Sequence, residues 1–167
     1  MSPEPPPKST KLDPQRPAAD PSDVNSIDAI IRAVYEAVSF TDSSGTDGPR
    51  LASLMTCDAK LLKVMPDVLS EGSVSDYVER VQAWIERSGC RGFVERELFR
   101  RTEVYGGIAH VFSSYEGRTL DSEGEVIERG INSFQLRHDG TRWWILSLLW
   151  TEEDDARPIP PAYLPRR

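Results

Sequence analysis

The stretch RGINSFQLRHDGTRWWILSLLW, residues 129–150, decides the fold. Asp139 and Gly140 form a strong two-residue hairpin signal, and the residues on either side have the alternating, aromatic-rich pattern of β-strands. Strands joined by so short a turn pair antiparallel. The second strand, residues 143–150, is apolar on both faces. We therefore expect helices to cover one face and another layer to cover the other.

The same period of two extends back from this hairpin. It predicts strands over residues 93–105, 108–119, 126–138 and 142–151, the first of them long enough to hold a bulge. Gly106-Gly107 and the run DSEG at 121–124 supply the remaining turns. Because every connection is short, the four strands should form an antiparallel meander.

Before residue 92 the apolar residues recur with the period of a helix. A first helix should begin near Asp23 and bury one stripe, which consists of Ile27, Ile30, Ile31, Val34, Tyr35 and Val38. A short second helix follows Pro49, and a third begins at Ser73 and ends at Gly89. Residues 58–65 fit either a short strand or an extended segment.

The chain has 167 residues, a length that fits one domain, and its 13 prolines are concentrated near the ends. We expect residues 1–22 to be a disordered proline-rich tail, residues 23–155 the domain, and residues 156–167 a proline-rich extension. The net charge of −7 argues against a nucleic-acid or anionic-membrane partner. Because no apolar run is long enough to span a bilayer or to form a signal-peptide core, a cytoplasmic location is expected.

Two segments carry a resemblance to a known superfamily. Asp139-Gly140 followed by Trp143-Trp144-Ile145, and the run RLASLM at 50–55, resemble the nuclear transport factor 2-like superfamily in its SnoaL-like and ketosteroid-isomerase-like branch. The resemblance covers residues 23–155. It implies a cone-shaped α+β fold in which three N-terminal helices pack on a strongly bent antiparallel sheet and leave a pocket at the wide end. It also implies a homodimer formed through the outer face of the sheet.

His110 is the most suggestive candidate for chemistry, because it lies mid-strand among apolar residues and imidazole titrates near neutral pH. In a pocket it would act as a general base or acid. The alternative is a histidine at a dimer interface or one hydrogen-bonded within the sheet. The expected ligand-pocket residues are Tyr77, Trp84, Tyr115, Asn132 and Trp150. Strand alternation shows which residues share a face, but not which face lines the pocket.

Two functions fit this sequence. The first is a domain that binds a small hydrophobic molecule, with or without turnover as a cofactor-free isomerase, dehydratase or cyclase. His110 would then be the base, with Tyr115 or Asn132 as its polar partner. The second is a non-catalytic dimeric interaction module with a vestigial pocket. The charged run FVERELFRRTE, residues 93–103, indicates a solvated or interface face. No phosphate loop and no metal motif occurs, so neither a cofactor nor a metal is expected.

Overall fold

Four helices and six strands make up the described part of the chain, residues 16–121 and 125–166 of a computed structural model. The helices are α1 (Pro21–Val24), α2 (Ile27–Val38), α3 (Gly48–Leu54) and α4 (Val74–Ser88). The strands are β1 (Met55–Met65), β2 (Val68–Gly72), β3 (Phe93–Tyr105), β4 (Ile108–Thr119), β5 (Val126–His138) and β6 (Trp143–Glu152). A single 3-10 turn, Pro161–Tyr163, follows the last strand. The predicted α+β class is confirmed.

The six strands form one sheet in the order β2-β1-β6-β5-β4-β3. Strands β3 to β6 are the predicted antiparallel meander, although residues 122–124 of the predicted DSEG turn lie outside the described residues. β1 pairs parallel with β6 and antiparallel with β2, so the sheet is mixed, whereas the sequence predicts a purely antiparallel one. A tight turn dictates antiparallel pairing, but β1 and β6 are separated by most of the domain, so no local signal sets their direction.

The two long helices begin where their capping residues predict. Ser26 Oγ accepts a hydrogen bond from the backbone N–H of Ala29 (3.1 Å) at the start of α2. Ser73 and Asp76 form a capping box at the start of α4. α1 is a separate single turn, because Ser26 caps α2 and interrupts the helix expected from Asp23. The described chain therefore has four helices rather than three, and none of them is long and apolar enough to cross a membrane.

The core lies between the helices and one face of the sheet, here called the inner face. Ile30 and Ile31 of α2 are fully buried, as are Val111, Phe134 and Ile145 of the sheet. Burying an aliphatic or aromatic side chain of this size stabilises the fold by about 1.5–3 kcal/mol. α4 is less deeply packed, and Ile85 is its one buried residue. Space therefore remains between α4 and the sheet.

A bulge in β3 and another at Leu146 in β6 change which side chains lie on the inner face. Because a bulge inserts one extra residue, the alternation of side chains reverses beyond it. Ile145 and Leu148 both belong to the core, although strict alternation places them on opposite faces. Trp150 and Glu152 follow Leu148 onto the inner face.

The C-terminal segment lies on the opposite, outer face of the sheet. Ile159 is buried. The rings of Tyr163 and Phe112 are 5.3 Å apart, and Ser114 Oγ donates a hydrogen bond to the backbone carbonyl of Tyr163 (2.5 Å). The predicted proline-rich extension thus covers part of the outer face.

The predicted N-terminal tail is described only in its last part, since residues 1–15 lie outside the described residues. Arg16 Nε donates a hydrogen bond to the backbone carbonyl of Ala52 (3.1 Å), and its guanidinium lies 5.2 Å from the ring centre of Trp144. Residues 16–22 therefore contact the domain.

Candidate functional site

A cavity of about 360 Å³ lies between α4, α2 and the inner face of the sheet. Its wall is mainly apolar and includes six aromatic side chains, those of Phe40, Tyr77, Trp84, Phe93, Tyr115 and Trp150. Several of these rings meet edge to face: Trp84 with Phe93 at 5.8 Å between ring centres, and Tyr77 with Trp150 at 6.0 Å. Such contacts fix the shape of an apolar wall.

The polar part of the cavity contains five charged side chains from five different elements. These are Lys63 of β1, Arg80 of α4, Glu95 of β3, Glu128 of β5 and Glu152 of β6. Lys63 Nζ forms an ion pair with Glu152 Oε1. Neither Glu95 nor Glu128 takes part in an ion pair with any described residue.

Strand register places Glu95 and Glu128 on either side of Gly117. Gly117 of β4 pairs with Glu95 of β3 and with Glu128 of β5. A Cβ atom at Gly117 would lie 2.7 Å from the Phe93 ring and 2.8 Å from Glu128 Cγ. The glycine is required here because the Phe93 ring and the Glu128 side chain occupy the space that a Cβ atom would fill.

The next row of the sheet holds Tyr115 beside Gly130. Tyr115 is 1% exposed and lines the cavity, and its hydroxyl has no hydrogen-bond partner among the described residues. A Cβ atom at Gly130 would lie 2.8 Å from this hydroxyl and 2.3 Å from the backbone oxygen of Thr151. An unpartnered buried hydroxyl is costly, so a ligand that formed a hydrogen bond with this one would remove that cost.

Burial raises the pKa of both unpaired carboxyl groups. The pKa of Glu95 rises to about 8, first because of burial and then because of the negative charges of Glu128 and Glu152, while the Asn132 amide opposes the shift. The pKa of Glu128 rises to about 7, again through burial and the Glu152 charge, with Lys63 opposing. Burial also raises the pKa of Tyr115 above its ordinary value, so this residue stays a neutral phenol.

A hydrogen-bond network positions the carboxyl group of Glu95. The side-chain amide of Asn132 donates to Glu95 Oε1 (3.3 Å) and to the hydroxyl of Tyr35 (3.1 Å). The Tyr35 hydroxyl is 2.6 Å from Ser113 Oγ, which in turn donates to Glu97 Oε1 (2.6 Å). Asn132 is therefore a positioning residue for the Glu95 carboxyl.

Comparison with known proteins identifies the fold. No protein-family model and no curated protein matches the chain. Solved structures do match: a protein of unknown function from Mycobacterium tuberculosis has a TM-score of 0.60 at 16% identity, over 82% of this chain and 80% of its own. A protein of unknown function from Pseudomonas putida, described as NTF2-like, has a TM-score of 0.58 at 15% identity, over 79% and 89%.

The chain has the nuclear transport factor 2-like fold. A third solved structure with this fold, a candidate dehydratase from Streptomyces avermitilis, has a TM-score of 0.53 at 15% identity, over 77% of this chain and 95% of its own. Likeness at such identities shows the fold alone, so activity has to be argued from the cavity.

Within the nuclear transport factor 2-like fold, the five expected pocket residues converge. Tyr77, Trp84, Tyr115, Asn132 and Trp150 all line the cavity. They reach it from α4, β4, β5 and β6. What they bind stays a prediction.

His110 lies elsewhere, and its expected place in the pocket is corrected. Val111 and Tyr115 of β4 point inward, so alternation puts His110 on the outer face. Its side chain is 38% exposed, its Nε2 is 3.2 Å from Ser133 Oγ, and its ring lies against Phe112. His110 therefore cannot reach a molecule held in the cavity.

Sequence reasoning missed the charged cavity residues. Glu128 had a usable signal: it is four residues before Asn132 on the same strand, so placing Asn132 in the pocket places Glu128 on the same face. No sequence signal indicated that Glu95 lines the cavity, because arginine and glutamate alternate in the segment around it, as is typical of a solvated face. No cluster of three His, Cys, Asp or Glu residues within residues 16–121 and 125–166 is arranged to hold a metal ion.

Proposed function

We propose that the cavity binds a small, largely hydrophobic molecule and that Glu95 and Glu128 move protons on it, as in a SnoaL-like, cofactor-free isomerase, dehydratase or cyclase. The observation that carries this proposal is the convergence of Glu95, Glu128 and the free Tyr115 hydroxyl on one mainly apolar cavity. A volume of about 360 Å³ is within the range of small-molecule sites.

The chemistry follows from the environments of these groups. A carboxyl group whose pKa is about 7, as for Glu128, accepts and returns a proton near neutral pH more readily than an exposed glutamate. The neutral Tyr115 phenol donates a hydrogen bond to an oxygen atom that gains negative charge. In this proposal Glu128 is the general base or acid, the role that the sequence predicted for His110.

The alternative is a non-catalytic interaction module that dimerises through the outer face of the sheet. Ile131 and Leu149 are half-buried on that face and would give a second copy an apolar contact. The open cavity favours the ligand-binding function over a vestigial pocket, although a dimer is compatible with both. A homodimer, a cytoplasmic location and the absence of nucleic-acid and membrane partners stay predictions from the sequence.

The proposal is tested with wild-type protein and three probes: testosterone, naringenin and geraniol, which represent steroid-, polyketide- and terpene-like molecules. A probe that binds only the folded state raises the melting temperature. For testosterone and naringenin, whose carbonyl groups acidify nearby C–H bonds, exchange of carbon-bound hydrogens with D₂O is then followed by mass spectrometry. We expect Glu128→Gln to reduce exchange by at least about a hundredfold. Glu103→Gln, at a side chain that is 86% exposed, should leave it unchanged.

Two results would contradict parts of the proposal. If a probe bound but its hydrogens exchanged no faster than in buffer, the cavity would bind the molecule without catalysing a reaction on it. If none of the three probes raised the melting temperature, binding of a steroid-, polyketide- or terpene-like molecule would be wrong.

A further inference from the structure

We infer that the ligand carries a basic nitrogen, held as an ammonium group between the carboxylates of Glu95 and Glu128 and the hydroxyl of Tyr115. This assignment rests on the proposed function, because it concerns the charge of the molecule that occupies the same cavity.

The geometry brings three acceptors to one place. Glu95 and Glu128 are two strands apart, a backbone separation of about 10 Å. Glu128 Cγ lies 2.8 Å from the Cβ position of the intervening Gly117, a residue without a side chain of its own, and the Glu128 carboxyl group forms a hydrogen bond with Glu152. The Tyr115 hydroxyl comes from the adjacent row and has no hydrogen-bond partner in the part of the chain that the structure describes. An ammonium group has three hydrogen-bond donors, which matches two carboxylates and one phenol oxygen.

The charged side chains around this site carry an excess of negative charge, which favours a cationic ligand. Three carboxylates, Glu95, Glu128 and Glu152, face two cations, Lys63 and Arg80. Lys63 is already paired with Glu152. An ammonium ion would supply a counter-charge to Glu95 and to the hydrogen-bonded carboxyl groups of Glu128 and Glu152, whereas an anionic ligand would add a further negative charge beside them.

The aromatic wall fits the same class of ligand. Trp84, Trp150 and Tyr77 line the cavity, and the faces of such rings attract organic cations. An organic cation fits a largely apolar, aromatic cavity of this kind.

Arg80 is the one feature that favours the opposite charge. Its Nη2 atom is buried without a hydrogen-bond partner among residues 16–121 and 125–166, which would suit a carbonyl or carboxylate group of a ligand. However, Arg80 Nη1 lies 3.1 Å from the Cβ position of Gly72 at the end of β2, and its charge acts on the exposed Asp76. It therefore faces the part of the cavity beside β2, and an anionic probe separates the two possibilities.

Binding of an amine has a proton signature. In the empty cavity, where Lys63, Arg80, Glu152, Tyr77 and Tyr115 are the other titratable groups, Glu95 and Glu128 have pKa values of about 8 and about 7. At pH 7 at least one of the two carboxyl groups is therefore largely protonated. A bound cation stabilises the carboxylate form and lowers these pKa values, so a proton is released on binding. Affinity for the amine should rise between pH 6 and pH 8.

The experiment uses the full chain and three probes of nearly the same shape. These are 2-(1-naphthyl)ethylamine, which is cationic, 2-(1-naphthyl)ethanol, which is neutral, and 1-naphthylacetate, which is anionic. Titration calorimetry at pH 7 in phosphate and in Tris measures affinity and the number of protons exchanged. We expect the amine to bind at least about tenfold more tightly than the alcohol and to release a proton. Glu95→Gln and Glu128→Gln should each reduce that preference, whereas Glu103→Gln should retain it.

The outcomes separate this inference from the proposed function. Equal affinity for the alcohol and the amine, tighter binding of the acetate, or an unchanged preference in both glutamine variants would overturn the amine assignment and leave cavity binding intact. Binding of none of the three probes would overturn both. Circular dichroism of each variant confirms that it is folded, and the second glutamine variant keeps the test decisive if one fails to fold.

Discussion

Glu95 is the residue whose environment differs most from its sequence context. Its neighbours in the run FVERELFRRTE indicate a solvated face, yet the side chain lines a mainly apolar cavity. Burial and two nearby glutamates raise its pKa to about 8. Such a carboxyl costs stability when it ionises, which is typical of groups retained for binding or chemistry.

This environment predicts a pH-dependent gain from Glu95→Gln. The pKa of Glu95 in the folded state is about 8, above the ordinary value of 4.5, so the folded state holds the proton more tightly. Its stabilising effect is complete below about pH 4.5 and is lost as the pH rises toward 8. We expect the variant to be more stable than wild type by about 1–4 kcal/mol at pH 8.5, and by much less at pH 5. Urea unfolding at both pH values measures the difference.

Glu103→Gln serves as the control, because this exposed glutamate lies on the same strand. The stability difference between Glu95→Gln and wild type could instead stay constant from pH 5 to pH 8.5. That result would show that the pKa of Glu95 is not raised in the folded state.

At the scale of elements, α4 combines a strong local signal with a tertiary role. Its capping box and the left-handed Gly89, with φ of 70°, define the helix without help from the rest of the fold. The same helix supplies Tyr77, Arg80, Val81 and Trp84 to the cavity. Because it is only partly buried, its caps should matter to the cavity as well as to the helix.

We therefore predict that Ser73→Ala lowers stability by about 1 kcal/mol, through loss of the hydrogen bond from the backbone N–H of Asp76 to Ser73 Oγ (3.2 Å). Thermal unfolding should show a melting temperature lower by a few degrees. Binding of the cavity probe should also weaken. Ser75→Ala, at an exposed position of the same helix that makes no cap, should change neither. An effect as large in Ser75→Ala would argue against a capping role.

The strands behave differently from α4, because their alternation is broken by bulges. Strict alternation in β6 would place Ile145 and Leu148 on opposite faces of the sheet. The bulge at Leu146 places both side chains in the core. The same shift brings Trp150 and Glu152 to the cavity. No residue pattern predicts this bulge, because Leu146 is one leucine among several apolar residues in a row.

At the scale of the whole molecule, the sheet has two unlike faces. The inner face forms the core and the cavity, and the outer face is covered in part by the C-terminal segment around Tyr163. Ile131 and Leu149 are half-buried on the outer face, and the predicted homodimer depends on an apolar contact there.

We predict that Ile131→Glu converts this homodimer to a monomer, because a charge in the centre of an apolar contact is left unpaired. Light scattering during size-exclusion chromatography measures the mass. Val104→Glu, 55% exposed near the tip of the β3–β4 hairpin, should remain dimeric. Probe binding in the cavity should survive both changes. A wild-type protein that elutes as a monomer at all concentrations would show the dimer prediction to be wrong.

The sequence by itself determined the long helices α2 and α4 and the meander from β3 to β6. It also nominated five pocket residues, but strand alternation alone left open which face of the sheet lines the cavity. Caps, turn residues and apolar periods are local properties, so they can be seen without knowing what packs where. The tight turns at Gly106 and Gly140, where φ is 55° and 100°, belong to the same class of signal.

Only the tertiary structure decided that β1 runs parallel to β6, that His110 faces outward, and that Glu95, Glu128 and Glu152 meet in one cavity. Each of these depends on register and on burial by residues distant in sequence, and a shift of one residue moves a side chain to the other face. The pKa of a glutamate likewise follows from what surrounds it in space, since desolvation and neighbouring charges are set by packing rather than by the adjacent residues.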